Sequence, residues 1–175
     1  MSPNDELGAL ALRDEARARD PWQRPEQVIQ WMALRGDETV VDLGAGTGYF
    51  SYHLARALPR GQVIAVEPDP DLRALIQGQA RHSQLPIQVV AKAPATAPRV
   101  FACNLLRHLD LSQGPDADRW VVIDFDPERA PDHPEVPPRA HLRSVAEVEA
   151  QLPGHRRIST RALPRQYFLE LVRQA

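Results

Sequence analysis

Three glycines alternate with other residues directly after a β-branched run: Gly44, Gly46 and Gly48 lie in the segment VVDLGAGTGYF, residues 40–50. Glycine lets the backbone approach a ligand without interference from a Cβ atom, and the N-terminus of the helix that follows presents free N–H groups to an anion. The G-x-G-x-G spacing differs from the G-x-G-x-x-G of dinucleotide sites, and no lysine follows as in a phosphate-binding P-loop. Taken alone, the glycines also fit a tight strand-to-helix turn without a ligand.

Two carboxylates accompany the glycines. Asp42 precedes Gly44 by two positions, and Glu67 follows the next apolar run, 25 residues after Asp42. A carboxylate at this place in an α/β fold accepts hydrogen bonds from both hydroxyls of a ribose. The combination favours a ligand that contains a ribose over a bare turn.

Four other side chains are weaker candidates. Trp22 either covers the ligand pocket or packs the first helix. Tyr49 follows the glycines, and His108 follows the fourth predicted strand, so both are candidate catalytic residues, although a histidine on a short helix is more often a surface or packing residue. Cys103 falls in a predicted buried strand, where a free cysteine usually only fills space.

The composition excludes several classes of protein. A chain of 175 residues forms roughly one domain, and 21 basic against 23 acidic residues leave a net charge of −2, which argues against a nucleic-acid-binding domain of high pI. No apolar run reaches the ~18–20 residues of a membrane span, and the acidic N-terminus does not resemble a secretory signal. The histidines have no recognisable metal-ligand spacing, and a single cysteine excludes a multi-cysteine zinc site. We therefore expect a cytoplasmic protein without a metal, a membrane or a nucleic acid as partner; its oligomeric state stays open.

The elements that position these residues alternate between strand and helix. Short apolar or β-branched runs predict five strands, and a closing hairpin predicts two more around Leu163-Pro164-Arg165. The five runs are 39–43, 63–66, 87–91, 100–103 and 120–125. We predict an α/β fold with a doubly wound, mainly parallel seven-stranded sheet and a C-terminal antiparallel hairpin. Residues 1–36 are predicted to be an N-terminal helical segment or lid, and residues 37–175 a single α/β domain.

Two stretches are less regular in the sequence. Sixteen residues separate Cys103 from Trp120, which is barely more than the ~10–12 that a parallel crossover needs. We predict only a short helix there, from Asn104 to about Leu111. Residues 126–139 contain five prolines and predict a long loop that is either functional or disordered.

The glycine segment resembles motif I of the class I S-adenosyl-L-methionine (SAM)-dependent methyltransferases. VIAVEPD, residues 63–69, resembles the segment that ends in the ribose-binding acid of that family. DPWQRP at residues 20–25, WVVIDF at 120–125 and LPRQYF at 163–168 are similar to one bacterial subgroup. The resemblance covers most of the chain and is that of a compact bacterial member with a Rossmann-like methyltransferase fold.

The resemblance implies SAM as cofactor and S-adenosyl-L-homocysteine (SAH) as product. It places the cofactor against Gly44, Ala45, Gly46 and Gly48, with Asp42 orienting the ammonium group and Glu67 holding the ribose. Trp22 is assigned to the cofactor pocket as a possible cover. A small-molecule acceptor is expected beside Tyr49, Cys103-Asn104 and the loop after Phe125.

The chain also departs from the family pattern. The family commonly has an acid after the third strand, near the adenine amine, where this chain has Ala91-Lys92-Ala93. Arg99 precedes the fourth strand in place of an aspartate. Three hypotheses therefore stay open: methyl transfer to a small molecule, a catalytically reduced SAM-binding or partner-binding protein, and non-methyl chemistry of the bound sulfonium.

Overall fold

The computed structural model describes residues 18–130 and 136–175. Seven strands form one sheet in the order β3-β2-β1-β5-β7-β9-β8, and two short strands, β4 and β6, pair separately. The strands are β1 Thr39–Leu43, β2 Gln62–Val66, β3 Ile87–Val90, β4 Thr96–Ala97, β5 Val100–Cys103, β6 Asp116–Ala117, β7 Arg119–Phe125, β8 His155–Ala162 and β9 Gln166–Arg173. The helices are α1 Pro25–Met32, α2 Tyr49–Arg56, α3 Pro70–Ser83 and α4 Val145–Gln151. Residues 18–23, called the N-terminal helical segment below, are also helical.

The predicted fold class is confirmed. Strands β3, β2, β1, β5 and β7 are mutually parallel, whereas β9 runs antiparallel between β7 and β8. The carboxyl ends of the parallel strands therefore meet at one edge of the sheet, together with the N-terminal end of β9. Ligands of open α/β sheets bind outside this edge.

Local sequence signals fix the helix boundaries. Asp69 caps α3 by accepting hydrogen bonds from the amides of Asp71 and Leu72, and Pro70 occupies the first position. Ser144 and Glu147 form a reciprocal capping box at the start of α4. Helix α1 ends at Met32, and Ala33 takes the left-handed conformation three residues before Gly36.

Apolar side chains cover both faces of the sheet. One core cluster includes Trp120, Val122 and Leu169, and the other includes Tyr49, Phe101 and Phe168. These side chains alternate along β5, β7 and β9, as expected for strands buried on both faces. Every helix in the described part of the chain is too short or too polar to cross a membrane.

The crossover between β5 and β7 differs from the prediction. The helix predicted from Asn104 to about Leu111 is wrong: the segment contains turns and a 3-10 helix at Leu111–Gln113. Asn104 has a φ of 57°, so the chain leaves the end of β5 in the left-handed conformation instead of entering a helix. The expected helix before residue 18 and residues 131–135 of the proline-rich loop lie outside the described residues.

Candidate functional site

The loop between β1 and α2 wraps the carboxyl end of β1 through backbone contacts. The amides of Gly44 and Ala45 both donate to the carbonyl oxygen of Val66, each at 3.0 Å, so the loop is fixed to the end of β2. Gly44, Gly46 and Gly48 have φ values of +73°, +58° and +89°. This conformation is strained for any residue with a side chain, which explains the repeated glycines.

Gly46 differs from its two neighbours in what surrounds it. A Cβ atom at Gly44 would lie 2.5 Å from Leu105 Cδ1, and one at Gly48 would lie 2.9 Å from Gln79 Oε1. A Cβ atom at Gly46 would meet nothing within 4 Å. The backbone of Gly46 therefore faces open space, where a ligand can approach it closely.

The Glu67 carboxylate binds the backbone of this loop. Its Oε2 accepts a hydrogen bond from the Gly46 amide at 2.8 Å, and its Oε1 accepts one from the Asp69 amide at 3.0 Å. The residue is only 7% exposed. Each carboxylate oxygen retains a second lone pair, so Glu67 is able to accept further hydrogen bonds from a ligand.

Asp42 is buried at the end of β1 and accepts a hydrogen bond from Ser51 Oγ at 2.5 Å. Burial raises the pKa of Asp42 to about 6, against the opposing effects of the Ser51 hydrogen bond and of the nearby Arg19 charge. The carboxyl therefore changes its charge within the range of a mildly acidic solution. A cationic group bound beside it favours the ionised form.

A cavity of about 240 Å³, called the glycine-loop cavity here, lies over these groups. Residues 44–47 of the glycine loop line it together with Asp42, Tyr49, Arg19 and Asn104, whereas Gly48 does not. A second cavity of about 290 Å³, called the Asp124 cavity, lies beyond β5. Its walls comprise Ala18, Arg19, Trp22, Asn104, Arg107, Asp124, Phe125 and Pro137. Arg19 and Asn104 line both cavities, so the two share a wall.

The shared wall is held by a chain of hydrogen bonds between side chains. Arg19 Nε donates to Gln23 Oε1 at 2.5 Å, Gln23 Nε2 donates to Gln166 Oε1 at 3.3 Å, and Gln166 Nε2 donates to Asn104 Oδ1 at 2.5 Å. Gln23 and Gln166 are fully buried. This amide chain ties the N-terminal helical segment to the start of β9 and to the turn after β5.

The Asp124 carboxylate lies at the end of β7 and is 5% exposed. Its Oδ2 accepts a hydrogen bond from the Leu106 amide at 3.1 Å, and its Oδ1 accepts one from the Phe125 amide at 2.7 Å. Burial raises the pKa of Asp124, while the two backbone hydrogen bonds act in the opposite direction. The cavity thus contains a desolvated carboxyl on which the charge of Arg107 acts, and Arg19 also lines it.

Comparisons with known proteins agree with this geometry. A family model described as a methyltransferase domain matches residues 40–118. The SAM-dependent methyltransferase from Aquifex aeolicus superposes with a TM-score of 0.72 over 86% of this chain and 89% of its own, at 18% identity. The PH0226 protein from Pyrococcus horikoshii OT3 superposes with a TM-score of 0.66 over 91% of this chain and 92% of its own, at 15% identity.

Two curated relatives match a shorter stretch of sequence. Both are named 23S rRNA (uracil(1939)-C(5))-methyltransferase RlmD: the Shewanella woodyi protein is 38% identical over 60 residues, and the Edwardsiella ictaluri protein is 42% identical over 59. Each match covers 34% of this chain and 13% of the relative, so the chain spans only a small part of these relatives' length.

The family-model match and the solved SAM-dependent methyltransferases of the same fold support a class I SAM-dependent methyltransferase family for this chain. The cofactor of this family is SAM. The predicted motif residues Asp42, Gly44, Ala45 and Gly46 come together around the glycine-loop cavity, and Glu67 lies behind the loop. Trp22 was expected at the cofactor; it lines the Asp124 cavity, where its ring stacks on Phe125 with centroids 5.6 Å apart.

The two candidate catalytic residues lie in different surroundings. Tyr49 is 1% exposed, its hydroxyl donates to Asp20 Oδ1 at 2.5 Å, and burial raises its pKa, so the phenol is neutral. His108 is exposed, its Nε2 accepts from Arg107 Nε at 2.7 Å, and it lines neither of the two cavities. Neither side chain offers a base to a substrate in this arrangement.

Sequence reasoning missed several residues of these cavities. These are Arg19, Gln23, Arg107, Asp124 and Gln166 in the shared wall or the Asp124 cavity, whereas Asn104 was expected beside the acceptor and lines both cavities. One signal for Asp124 was present, because a single carboxylate in the apolar run WVVIDF parallels Asp42 in TVVDL. Cys103 accepts a hydrogen bond from Gln23 Nε2 at 3.3 Å, and desolvation raises its pKa to about 12, so it stays a thiol at neutral pH.

Proposed function

We propose that the protein binds SAM at the glycine loop and transfers its methyl group to a small molecule in the Asp124 cavity. The observation that carries this proposal is the common wall of Arg19 and Asn104 between the two cavities. Methyl transfer is an in-line displacement, so the donor carbon and the acceptor atom must meet. Two adjoining cavities at the ligand-binding edge of the sheet suit such a reaction.

The residues of the glycine-loop cavity fit the cofactor. The open side of Gly46 admits the close approach of a ligand to the backbone, and the start of α2 favours the carboxylate of the amino-acid part. Asp42 lines the cavity and offers a carboxylate to the ammonium group. Glu67 has free lone pairs for the two ribose hydroxyls. We assign Gly44, Ala45 and Gly48 to the same cradle.

The protein's own contribution to the reaction is positioning. Bound SAM supplies an electrophilic methyl group on a sulfonium centre. The N-terminal helical segment, held by the amide chain, covers the boundary between the cavities with Arg19 and Trp22. We expect this segment to limit the orientations of the acceptor, and correct orientation of two reactants lowers the barrier of a displacement.

A small-molecule acceptor is favoured over a nucleic acid by two features. The chain has a net charge of −2, whereas binding to phosphate backbones requires a dominant basic surface. The Asp124 cavity, at about 290 Å³, matches the lower end of small-ligand pockets, which span ~300–1,000 Å³. The names of the RNA-modifying relatives refer to proteins of which this chain matches only 13%.

A second candidate function is a SAM-binding protein with reduced or no turnover. Ala91 and Lys92, at the position where an acid near the adenine amine is expected, are exposed and line neither cavity. Neither Tyr49 nor His108 supplies a base. Methyl transfer needs a base only when the nucleophile arrives protonated. The lack of a base therefore favours the second function only for an acceptor that must lose a proton.

Calorimetric titration with SAM and SAH tests the cofactor assignment. We expect Glu67→Ala to weaken SAH binding about tenfold, because hydrogen bonds to a charged group contribute ~1.5–3 kcal/mol. Glu67→Gln keeps the size of the side chain and separates loss of charge from loss of support for Gly46. Glu128→Ala, which removes an exposed acid after β7, is the matched control and leaves the affinity unchanged.

The outcomes separate the two candidate functions. Transfer of a labelled methyl group from SAM to an acceptor, detected by mass spectrometry, supports the methyltransferase. SAM binding without transfer to any acceptor supports the second function. Tighter binding of NAD than of SAM contradicts the cofactor assignment itself.

A further inference from the structure

We infer that the Asp124 cavity selects a small aromatic acceptor that carries both an anionic group, bound by Arg107, and a neutral O–H or N–H group, bound by Asp124. This inference rests on the proposed function, because it names the class of acceptor for the same site. Three observations carry it: the two amino groups of the Arg107 guanidinium, the single carboxylate among the described residues of the cavity wall, and the aromatic residues of that wall.

Arg107 uses only one of its guanidinium nitrogens in a hydrogen bond to the protein. Its Nε donates to His108 at 2.7 Å, whereas its Nη1 and Nη2 atoms have no hydrogen bond or ion pair within the described residues. The side chain is exposed and lines the cavity. A planar guanidinium with two free amino groups fits a carboxylate in a bidentate manner.

Asp124 is the only carboxylate among the described residues that line this cavity, and it forms no ion pair with any of them. Both of its oxygens already accept one backbone hydrogen bond, and each retains a lone pair. The positive charge of Arg107 acts on the Asp124 carboxyl and lowers its pKa against the effect of burial, so part of the negative charge is already offset. A neutral hydroxyl or amine therefore suits Asp124 better than an ammonium group does.

The size and the walls of the cavity indicate a single ring. Trp22 and Phe125 stack on each other with an interplanar angle of 24°, and both contribute apolar surface to the cavity together with Pro137. Both rings line the cavity, where a planar ligand can pack against aromatic surface. With a volume of about 290 Å³, the cavity has room for a benzoate-sized molecule rather than for a polycyclic one.

Titration of SAH-saturated protein with 4-hydroxybenzoate tests the inference. Two comparison ligands each lack one group: 4-hydroxybenzamide lacks the anion, and 4-methoxybenzoate lacks the hydroxyl donor. We expect each to bind the wild type about tenfold more weakly than 4-hydroxybenzoate, since each loses a charge-assisted hydrogen bond. The three affinities are measured by calorimetry. Equal affinities for all three ligands overturn the inference, as does the absence of binding at about 1 mM.

Two variants assign the groups. Arg107→Gln should abolish the preference for 4-hydroxybenzoate over the benzamide, and Asp124→Asn should abolish the preference over the methyl ether. Arg60→Gln, an exposed arginine at the opposite edge of the sheet, is the control and keeps both preferences. If Arg107→Gln still prefers 4-hydroxybenzoate over the benzamide, the proposed role of the arginine is overturned. This result does not depend on whether Asp124→Asn folds.

SAH binding separates this inference from the proposed function. A wild type that binds SAH but none of the three benzoate-type ligands contradicts only the acceptor class. A wild type that fails to bind SAH contradicts the proposed function. An unchanged SAH affinity in Asp124→Asn also reports that the variant is folded.

Discussion

The two cavities are held in shape by different kinds of interaction. The glycine-loop cavity depends on the backbone: amides of Gly44, Ala45 and Gly46 bind the end of β2 and Glu67, and the glycines adopt left-handed conformations. The Asp124 cavity depends on side chains from distant parts of the chain, which meet in the buried amide chain. Backbone geometry defines the first cavity, and a side-chain network defines the second.

This difference has a physical consequence. A loop that is fixed by its own backbone tolerates changes in the surrounding side chains, but it fails when one glycine acquires a Cβ atom. A network of buried amides is the opposite case, because removing one member leaves its partners without hydrogen bonds in a dry environment. We therefore expect mutations in the glycine loop to lower mainly the affinity for the ligand, and mutations in the amide chain to lower mainly the stability of the fold.

The largest effect is expected for Gln166→Leu. The substitution leaves Asn104 Oδ1 and one donor of Gln23 without their partner, so the free energy of unfolding should fall by about 2–4 kcal/mol. The affinity for SAH should stay close to that of the wild type. Urea denaturation without ligand and calorimetry with SAH measure the two quantities.

The control for this variant is Gln62→Leu. Gln62 pairs with Gln88 through a similar amide hydrogen bond of 3.0 Å on the exposed surface of β2 and β3. Its loss should change stability by no more than about 0.5 kcal/mol. Equal destabilisation by the two variants would contradict the importance of the buried amide chain.

The converse variant is Gly46→Val. A branched side chain at a φ of +58° costs about 1–2 kcal/mol of stability, and it fills the open space that faces the ligand. The affinity for SAH should therefore fall by more than about tenfold beyond any unfolding. Gly154→Val is matched to it, because a Cβ atom at Gly154 also meets nothing within 4 Å but no left-handed conformation is required. An SAH affinity that survives in Gly46→Val places the ligand elsewhere.

The pH dependence of SAH binding tests the role of Asp42. Because burial raises the pKa of Asp42 to about 6, the carboxyl is neutral below that pH and attracts the ammonium group of SAH only above it. The affinity should rise roughly tenfold between about pH 5 and pH 7, and Asp42→Asn should flatten the profile.

The same group affects stability with the opposite sign. Asp42 binds its proton more tightly in the folded than in the unfolded protein, so its contribution to stability falls as the pH rises from about 4 to 6. The difference between wild type and Asp42→Asn in urea denaturation should therefore grow in favour of the asparagine over this range. A pH-independent difference would contradict the raised pKa.

The smallest effect concerns the adenine side of the cofactor. Ala91→Asp and Lys92→Asp each introduce an acceptor at the end of β3, so at least one should tighten SAH binding by about threefold to tenfold. Arg60→Asp produces the same change of charge as Lys92→Asp at the opposite edge of the sheet and should leave binding unchanged. If neither variant tightens binding and the wild type rejects the inosine analogue of SAH, another residue contacts the adenine amine.

The predictable part of the molecule is the part with local signals. Residues nearby in the sequence determine the strand at 39–43, the glycine loop and the capped helix at Pro70. Leu163-Pro164-Arg165 marks the hairpin. The seven-stranded sheet followed from the alternation of these signals. The placement of Asp42 beside the glycine loop followed from the same segment.

The remaining part depends on contacts between distant residues. Gln23 and Gln166 are 143 positions apart, and no spacing in the sequence relates them. The turn after β5 depends on Asn104, whose left-handed conformation is stabilised by a hydrogen bond from Gln166. That turn directs His108 to the surface and brings Arg107 to the cavity, which a helix in this segment would not do.

The wall of Arg19 and Asn104 makes the two ligands thermodynamically reciprocal. A cofactor that shifts either side chain changes the affinity of the acceptor by some factor, and linkage requires the acceptor to change the affinity of the cofactor by the same factor. If contacts with this wall distinguish SAM from SAH, they therefore also distinguish the acceptor from the methylated product. The coupling free energy can be measured from either ligand, and the two values must agree.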